Sequence, residues 1–149
     1  MRDAPIRVAA SAVIDAPPQK VCAVIADYHN GHPRIVPAKC FSGMEVERGG
    51  VGAGTLVRFQ MHTLGTTRTY LAEITEPEPG RVLVETNLGS GEATTFTVDP
   101  ADGGRASVTI VTEWAARGCS GLVQRLLAPP LLRRIYAEEF RNLARVAAG

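Results

Sequence analysis

The chain alternates between two hydrophobic rhythms. Ile6 to Ile14 is a run of β-branched and small residues closed by Asp15-Ala16-Pro17-Pro18. Proline suits the first turn of a helix and not its interior, so a strand is predicted to hand over to a helix from about Pro17 to Ala26. That helix has Val21, Val24 and Ile25 at three- and four-residue spacing. A turn-rich stretch, Asp27 to Pro37, follows. From Cys40 the rhythm becomes short β-like runs: Cys40–Glu47, Thr55–His62, Thr66–Glu76, Arg81–Leu88, Ala93–Asp99 and Arg105–Ala115. Leu64-Gly65, Pro77–Gly80, Gly89–Gly91 and Pro100–Gly104 supply the residues that hairpins use between them. Six strands so joined predict an antiparallel meander. After Ser120, read as an N-cap, Leu132, Tyr136, Phe140, Leu143 and Ala147 form one stripe of a long amphipathic helix. Pro129-Pro130 predicts a break or kink, with the main helix starting at Pro130.

Register sorts the sheet into faces. A short even loop at Leu64-Gly65 places Phe59 opposite Tyr70, Val57 opposite Ala72 and Met61 opposite Arg68. The same exercise through Gly89–Gly91 sets Val84 against Phe96, Val82 against Val98 and Thr86 against Thr94, and the last strand adds Val108, Ile110, Thr112 and Trp114. The other face carries Arg58, Gln60, His62, Glu73, Glu85 and Glu113, and a slip of one residue would bring Arg58, Gln60 and His62 inside. The apolar face has two covers available, the short N-terminal helix and the long C-terminal one. The expected fold is α+β, a curved antiparallel sheet gripping the C-terminal helix around an apolar cavity with a few polar handles.

Composition narrows the setting. With 149 residues, 45% hydrophobic and 21% charged, the chain fits a single domain, 1–149, with a sizeable core. Its 16 basic and 15 acidic residues give a net charge of +1, so it lacks the electrostatic footprint of a nucleic-acid partner. Cys22, Cys40 and Cys119 form no C-x-x-C pair and are expected to be reduced and buried in a cytoplasmic protein. No membrane span and no exported leader are expected.

Several side chains carry candidate chemistry. Arg68 on an apolar face would seek a ligand carboxylate, phenolate or carbonyl, unless it snorkels to water at its strand end. Tyr70 could offer its hydroxyl to a ligand or bond a backbone carbonyl. Phe96 and Trp114 present flat surfaces, Phe59 and Met61 apolar ones, and Thr86, Thr94 and Thr112 polar lining. Val84, Ile110, Tyr136 and Phe140 complete the expected ligand-binding set. His29 and His32 are spaced by three, but Asn30-Gly31 and Pro33 predict a turn, so no metal site is expected. His62 is read as a solvated outer residue. The glycines of Gly49 to Gly54 lead into a strand, unlike a phosphate loop, which precedes a helix. Glu138 and Glu139 with Arg134, Arg141 and Arg145 read as a solvated helix face. No cofactor is expected, and no residue is assigned a catalytic role.

Three stretches, A-S-A-V-I-D-A-P-P-Q-K-V-C-A-V-I-A-D-Y at 10–28, H-P-R-I-V-P at 32–37 and G-V-G-A-G-T-L-V-R-F at 50–59, precede G-L-V-Q-R-L-L and an amphipathic helix. In this order they resemble the START-like, Bet v 1-like (SRPBCC) superfamily, and within it the polyketide cyclase/dehydrase and lipid transport branch. The resemblance implies a helix-grip fold of β-α-α-β6-α order, with about seven strands and a hydrophobic cavity between sheet and C-terminal helix. It brings no catalytic signature that can be carried over residue by residue.

The leading expectation is therefore a protein that binds a small hydrophobic molecule, such as a lipid, isoprenoid quinone or aromatic polyketide-like compound. One alternative is a cyclase or dehydratase in which Tyr70 or Arg68 assists enolisation or water loss from a poly-ketone. Another is an interaction or chaperone-like module docking through the leucines of Leu122–Leu132. The sequence does not fix the oligomeric state.

Overall fold

A computed structural model describes residues 4–116 and 118–149. Among them, seven strands form one antiparallel sheet, β1 (Ile6–Ile14), β2 (Phe41–Arg48), β3 (Leu56–Thr63), β4 (Thr66–Glu78), β5 (Val82–Asn87), β6 (Ala93–Ala101) and β7 (Arg105–Trp114). Their spatial order is β1-β7-β6-β5-β4-β3-β2, so every chain neighbour from β2 to β7 is also a sheet neighbour, and β1 closes against β7. Two short helices, α1 (Pro18–Ala26) and α2 (His32–Ile35), follow β1, and α3 (Gly118–Ala148) ends the fold. This is the helix-grip architecture, and the sheet stays open between β1 and β2.

The two-residue turn between β3 and β4 fixes their register. Leu64 (φ 50°) and Gly65 (φ 74°) are both left-handed, as a tight hairpin matching strand twist requires. Phe59 faces Tyr70, Val57 faces Ala72 and Met61 faces Arg68, as the even loop predicts. Phe96 pairs with Ile110 and Thr94 with Thr112 on β6 and β7.

Between β5 and β6 the register differs from expectation by one residue. Asn87 N–H donates to the Glu92 carbonyl (2.8 Å) around the four-residue turn Leu88–Gly91. A turn centred on Ser90 would have paired residues with an odd loop; the even loop moves every side chain of β5 to the other face. Leu83 therefore opposes Phe96, and Glu85 opposes Thr94. Glu85 points inward and not outward, while Val84 and Thr86 join the outer face, leaving the expected cavity lining.

Helix α3 runs 31 residues without interruption through Pro129 and Pro130, so the expected break does not occur, and its start at Gly118 precedes Ser120. The prolines remove the donors that would reach the Arg125 and Leu126 carbonyls. That stretch is largely solvent-facing, with Leu126 70% exposed, and water can satisfy the carbonyls left over. Its C-terminal half packs on the sheet through Ile135, Tyr136, Phe140, Leu143 and Ala147, all buried. Asn142 Nδ2 donates to the Ile35 carbonyl (2.9 Å), tying α3 to α2. The core continues through Val8, Val21, Ile25, Val57, Ile74, Phe96, Val108 and Ile110.

Cys22 and Cys40 are free thiols but only half-buried, a correction to their expected burial. Cys22 Sγ donates to the Gly80 carbonyl (3.0 Å). Burial raises both thiols, with Glu76 adding for Cys22 and Glu138 and Glu139 for Cys40. The expectation for the Cys119 side chain lies outside what is described. Among the described residues no helix is long and apolar enough to cross a membrane.

Candidate functional site

Between the inner sheet face and α3 lies a cavity of ≈ 60 Å³ open to the centres of water molecules. A neighbouring cavity of ≈ 110 Å³ shares Met61, Tyr70, Glu92, Thr112 and Leu132 with it. Each exceeds what one water needs, roughly 10–15 Å³ in this measure.

The floor is apolar. Phe59 stacks on Tyr70 (ring centroids 5.2 Å) and meets Phe41 (5.9 Å). Phe96, Met44, Met61 and Leu132 extend this wall. The expected lining residues Phe59, Met61, Tyr70, Thr94, Phe96, Thr112 and Tyr136 all border the main cavity. Arg68 and Trp114 border the neighbouring one, where Arg68 is exposed at its strand end and Trp114 Nε1 donates to Gln124 (2.8 Å). Ile110 and Phe140 are core residues instead, 1% and 8% exposed, outside the cavity wall.

Of the polar wall, sequence reasoning named Tyr70, Thr94 and Thr112 and missed His32, Glu85, Glu92 and Glu139. His32, read as a turn residue, sits at the start of α2 and is 2% exposed. Asp27 builds the turn that brings it there: its Oδ1 accepts from the amides of His29 and Asn30, and its carbonyl accepts from Gly31 and His32. His32 stacks on Tyr28 (centroids 4.4 Å) and lies edge-on to Phe96 (5.5 Å). Its Nδ1 is 2.8 Å from the Ile25 carbonyl and its Nε2 3.3 Å from Glu85 Oε2. A carbonyl only accepts, so Nδ1 carries hydrogen. Tyr28 OH donates to the same Glu85 oxygen (2.6 Å). Burial, with Glu85 next, holds the Tyr28 hydroxyl well above its usual range.

Two further carboxyls face the cavity. Glu92 accepts from Tyr70 OH (3.3 Å). Burial raises Glu92, partly offset by Tyr70 and Arg68, and burial with Glu92 pushes Tyr70 up to about 12. Glu139 is 6% exposed, contradicting the solvated helix face expected of it. Burial, reinforced by Glu85, pushes its carboxyl well above the usual carboxylate range. Tyr136 OH donates to Thr112 Oγ1, which is 2.9 Å from Thr94 Oγ1. Burial raises the Tyr136 hydroxyl as well.

A readable signal for Glu139 exists. Leu132, Ile135, Glu139 and Asn142 repeat at alternating spacings of three, four and three, a second seam beside the aromatic stripe. Phe41 and Met44 carried no comparable signal, because β2 is mostly exposed and bulged, and Val36 lies in the turn-rich stretch just after α2.

The remaining candidates lie elsewhere. His29 is exposed beside Gly50 and does not meet His32. His62 is on the outer side, bridging Ser42 Oγ (2.7 Å) and Thr67 Oγ1 (2.9 Å). Arg58, outward too, pairs with Glu47 (2.7 Å). Leu122, Val123, Leu126 and Leu127 are at least half exposed on α3, which preserves the ground for a docking face there.

Comparison with known proteins places this geometry. Similar solved structures include the KanY protein, 31% identical with a TM-score of 0.85, the match covering 99% of this chain and 100% of that one. A protein of Thermus thermophilus is 20% identical with a TM-score of 0.78, over 96% of this chain and 97% of that one. The Zhui aromatase/cyclase from Streptomyces sp. R1128 is 19% identical with a TM-score of 0.76, over 97% and 94%, a likeness of fold. No curated protein matches the sequence. The family model described as polyketide cyclase / dehydrase and lipid transport matches residues 5–148, and the chain belongs to that family.

Proposed function

We propose that the protein binds a small hydrophobic molecule in the cavity between its sheet and α3. The observation that carries this reading is the unfilled space where a core would ordinarily close, walled by Phe41, Phe59, Met61, Phe96 and Leu132. Interiors normally pack to the density of organic crystals, so an apolar void backed by a few convergent polar groups is the form a ligand site takes. Family membership supports it, since the family's description joins lipid transport to cyclase and dehydrase chemistry.

Binding is favoured over catalysis by Tyr70. The cyclase reading needs a proton donor, but the Tyr70 hydroxyl is directed at Glu92 and held at about 12, far from the neutral range where general acids work well. Arg68, its proposed helper, stands outside the main cavity.

Native mass spectrometry of the purified protein, followed by solvent extraction, is the direct test. A stoichiometric apolar molecule, or saturable uptake of the neutral fluorophore N-phenylnaphthylamine into the empty protein, is the expected result. A protein that carries nothing and leaves the fluorophore dark has a closed core and not a binding site.

A further inference from the structure

The polar groups of the cavity are unevenly supplied with partners. Its donors are spent: Tyr28 OH goes to Glu85, Tyr70 OH to Glu92, and Tyr136 OH to Thr112. His32 uses one ring nitrogen on the Ile25 carbonyl and turns the other to Glu85. One hydroxyl hydrogen is left over, from the Thr94–Thr112 pair. Acceptors, by contrast, remain. Glu85 uses one carboxyl oxygen for both its partners, and Glu92 uses one for Tyr70.

Glu139 is the extreme case. It is 94% buried, being 6% exposed, and among the described residues it has no hydrogen bond or ion pair. No fully enclosed side-chain nitrogen or oxygen among those residues lacks a hydrogen-bond partner, so the carboxyl oxygens of Glu139 border the open space of the cavity they line. The groups that face it are Tyr28 from the loop after α1, His32 from α2, Cys40 before β2, Glu85 from β5, Glu92 before β6, and Tyr136 and Glu138 from α3 itself. His32 alone among these can be cationic, and Glu85 already engages it.

We propose that the ligand of this cavity is an apolar molecule bearing a protonated amine, seated against Glu139. The inference rests on the hydrophobic-ligand reading and specifies its chemistry. An ammonium supplies the donors the wall lacks and offsets the negative field of Glu85 at Glu139. The rings of Phe96 and Tyr136, on the same wall, add cation–π attraction. A ketone of the same shape would bring another acceptor to a wall that already has a surplus. Burial disfavours the charged form of Glu139, and an ammonium beside it acts in the opposite direction, favouring the carboxylate.

The test is calorimetric titration of the full chain at neutral pH with phenethylamine, phenethyl alcohol and phenylacetone. The amine is expected to bind at least about tenfold more tightly than either neutral counterpart, the worth of one charge-assisted hydrogen bond. In Glu139→Gln the preference vanishes. Equal binding of the three in the wild-type protein overturns the inference, an outcome that does not depend on the variant folding. If N-phenylnaphthylamine binds while phenethylamine does not, the amine inference fails and the hydrophobic-ligand reading stands. If no probe binds, both fall.

Discussion

A carboxyl group moved from water into an apolar wall without a partner favours its neutral form, because desolvation penalises charge more than dipoles. Glu139 is in this position, and Glu85 adds to the effect. Its folded-state value lies above the ordinary 4.5, so between the two the native state binds more protons than the unfolded chain. Stability from this group is full below about 4.5 and is lost as pH rises through the raised value. Glu139→Gln keeps the shape and removes the titration. Denaturant melts across a pH series should show the wild type losing stability relative to the variant as pH rises from the acid side, and parallel curves would refute the buried, unpartnered carboxyl. Glu92 shifts in the same direction but is present in both proteins and cancels in the difference. Glu85 and Glu139 were both assigned to the outside, because a carboxylate is placed in water by default. Only register and helix phase override that assignment, and both had to be read to within one residue.

Elements were easier to read than their phases. The Leu64-Gly65 hairpin fixed β3 against β4 because a two-residue turn admits one register, whereas the Leu88–Gly91 turn tolerates either parity in the sequence, and structure decided it through the pairing of Asn87 with Glu92. The turn joining α1 to α2 is fixed by a different device. A Cβ on Gly31 would lie 2.3 Å from the Val24 carbonyl oxygen, a backbone atom that cannot swing aside. Gly31→Ala must therefore push α2 away from α1, and His32, the next residue, moves with it. A loss of about 2–3 kcal/mol is expected in equilibrium unfolding, together with altered imidazole resonances as the Ile25 and Glu85 contacts loosen. An unchanged melting point and unchanged His32 signals would show that the turn has slack. In α3, the aromatic stripe marked the buried half correctly, while Pro129-Pro130 overstated the interruption, since an exposed helical turn can leave its carbonyls to water.

At the scale of the molecule, the cavity exists because one helix must cover a seven-stranded curved sheet, and its C-terminal half does most of the covering. The sequence named most of the apolar wall through strand alternation, but the empty volume itself is a difference between side-chain sizes across facing elements, which no pattern records. Leu132 is well placed to test whether that emptiness serves binding, because it borders both cavities, lies half-buried on α3 and makes no polar contact that a replacement would break. Leu132→Phe adds a ring to the void. If the space is kept open at a cost to packing, filling it should raise thermal stability, by roughly 0.5–2 kcal/mol as cavity-filling changes commonly do, while weakening N-phenylnaphthylamine uptake by at least about tenfold, the effect of a ~1.4 kcal/mol loss. These two changes have opposite signs only where stability has been traded for a site. A variant that is destabilised and still binds would mean that the ring cannot enter and that the wall is already packed; one that is stabilised and binds as before would place the ligand away from α3.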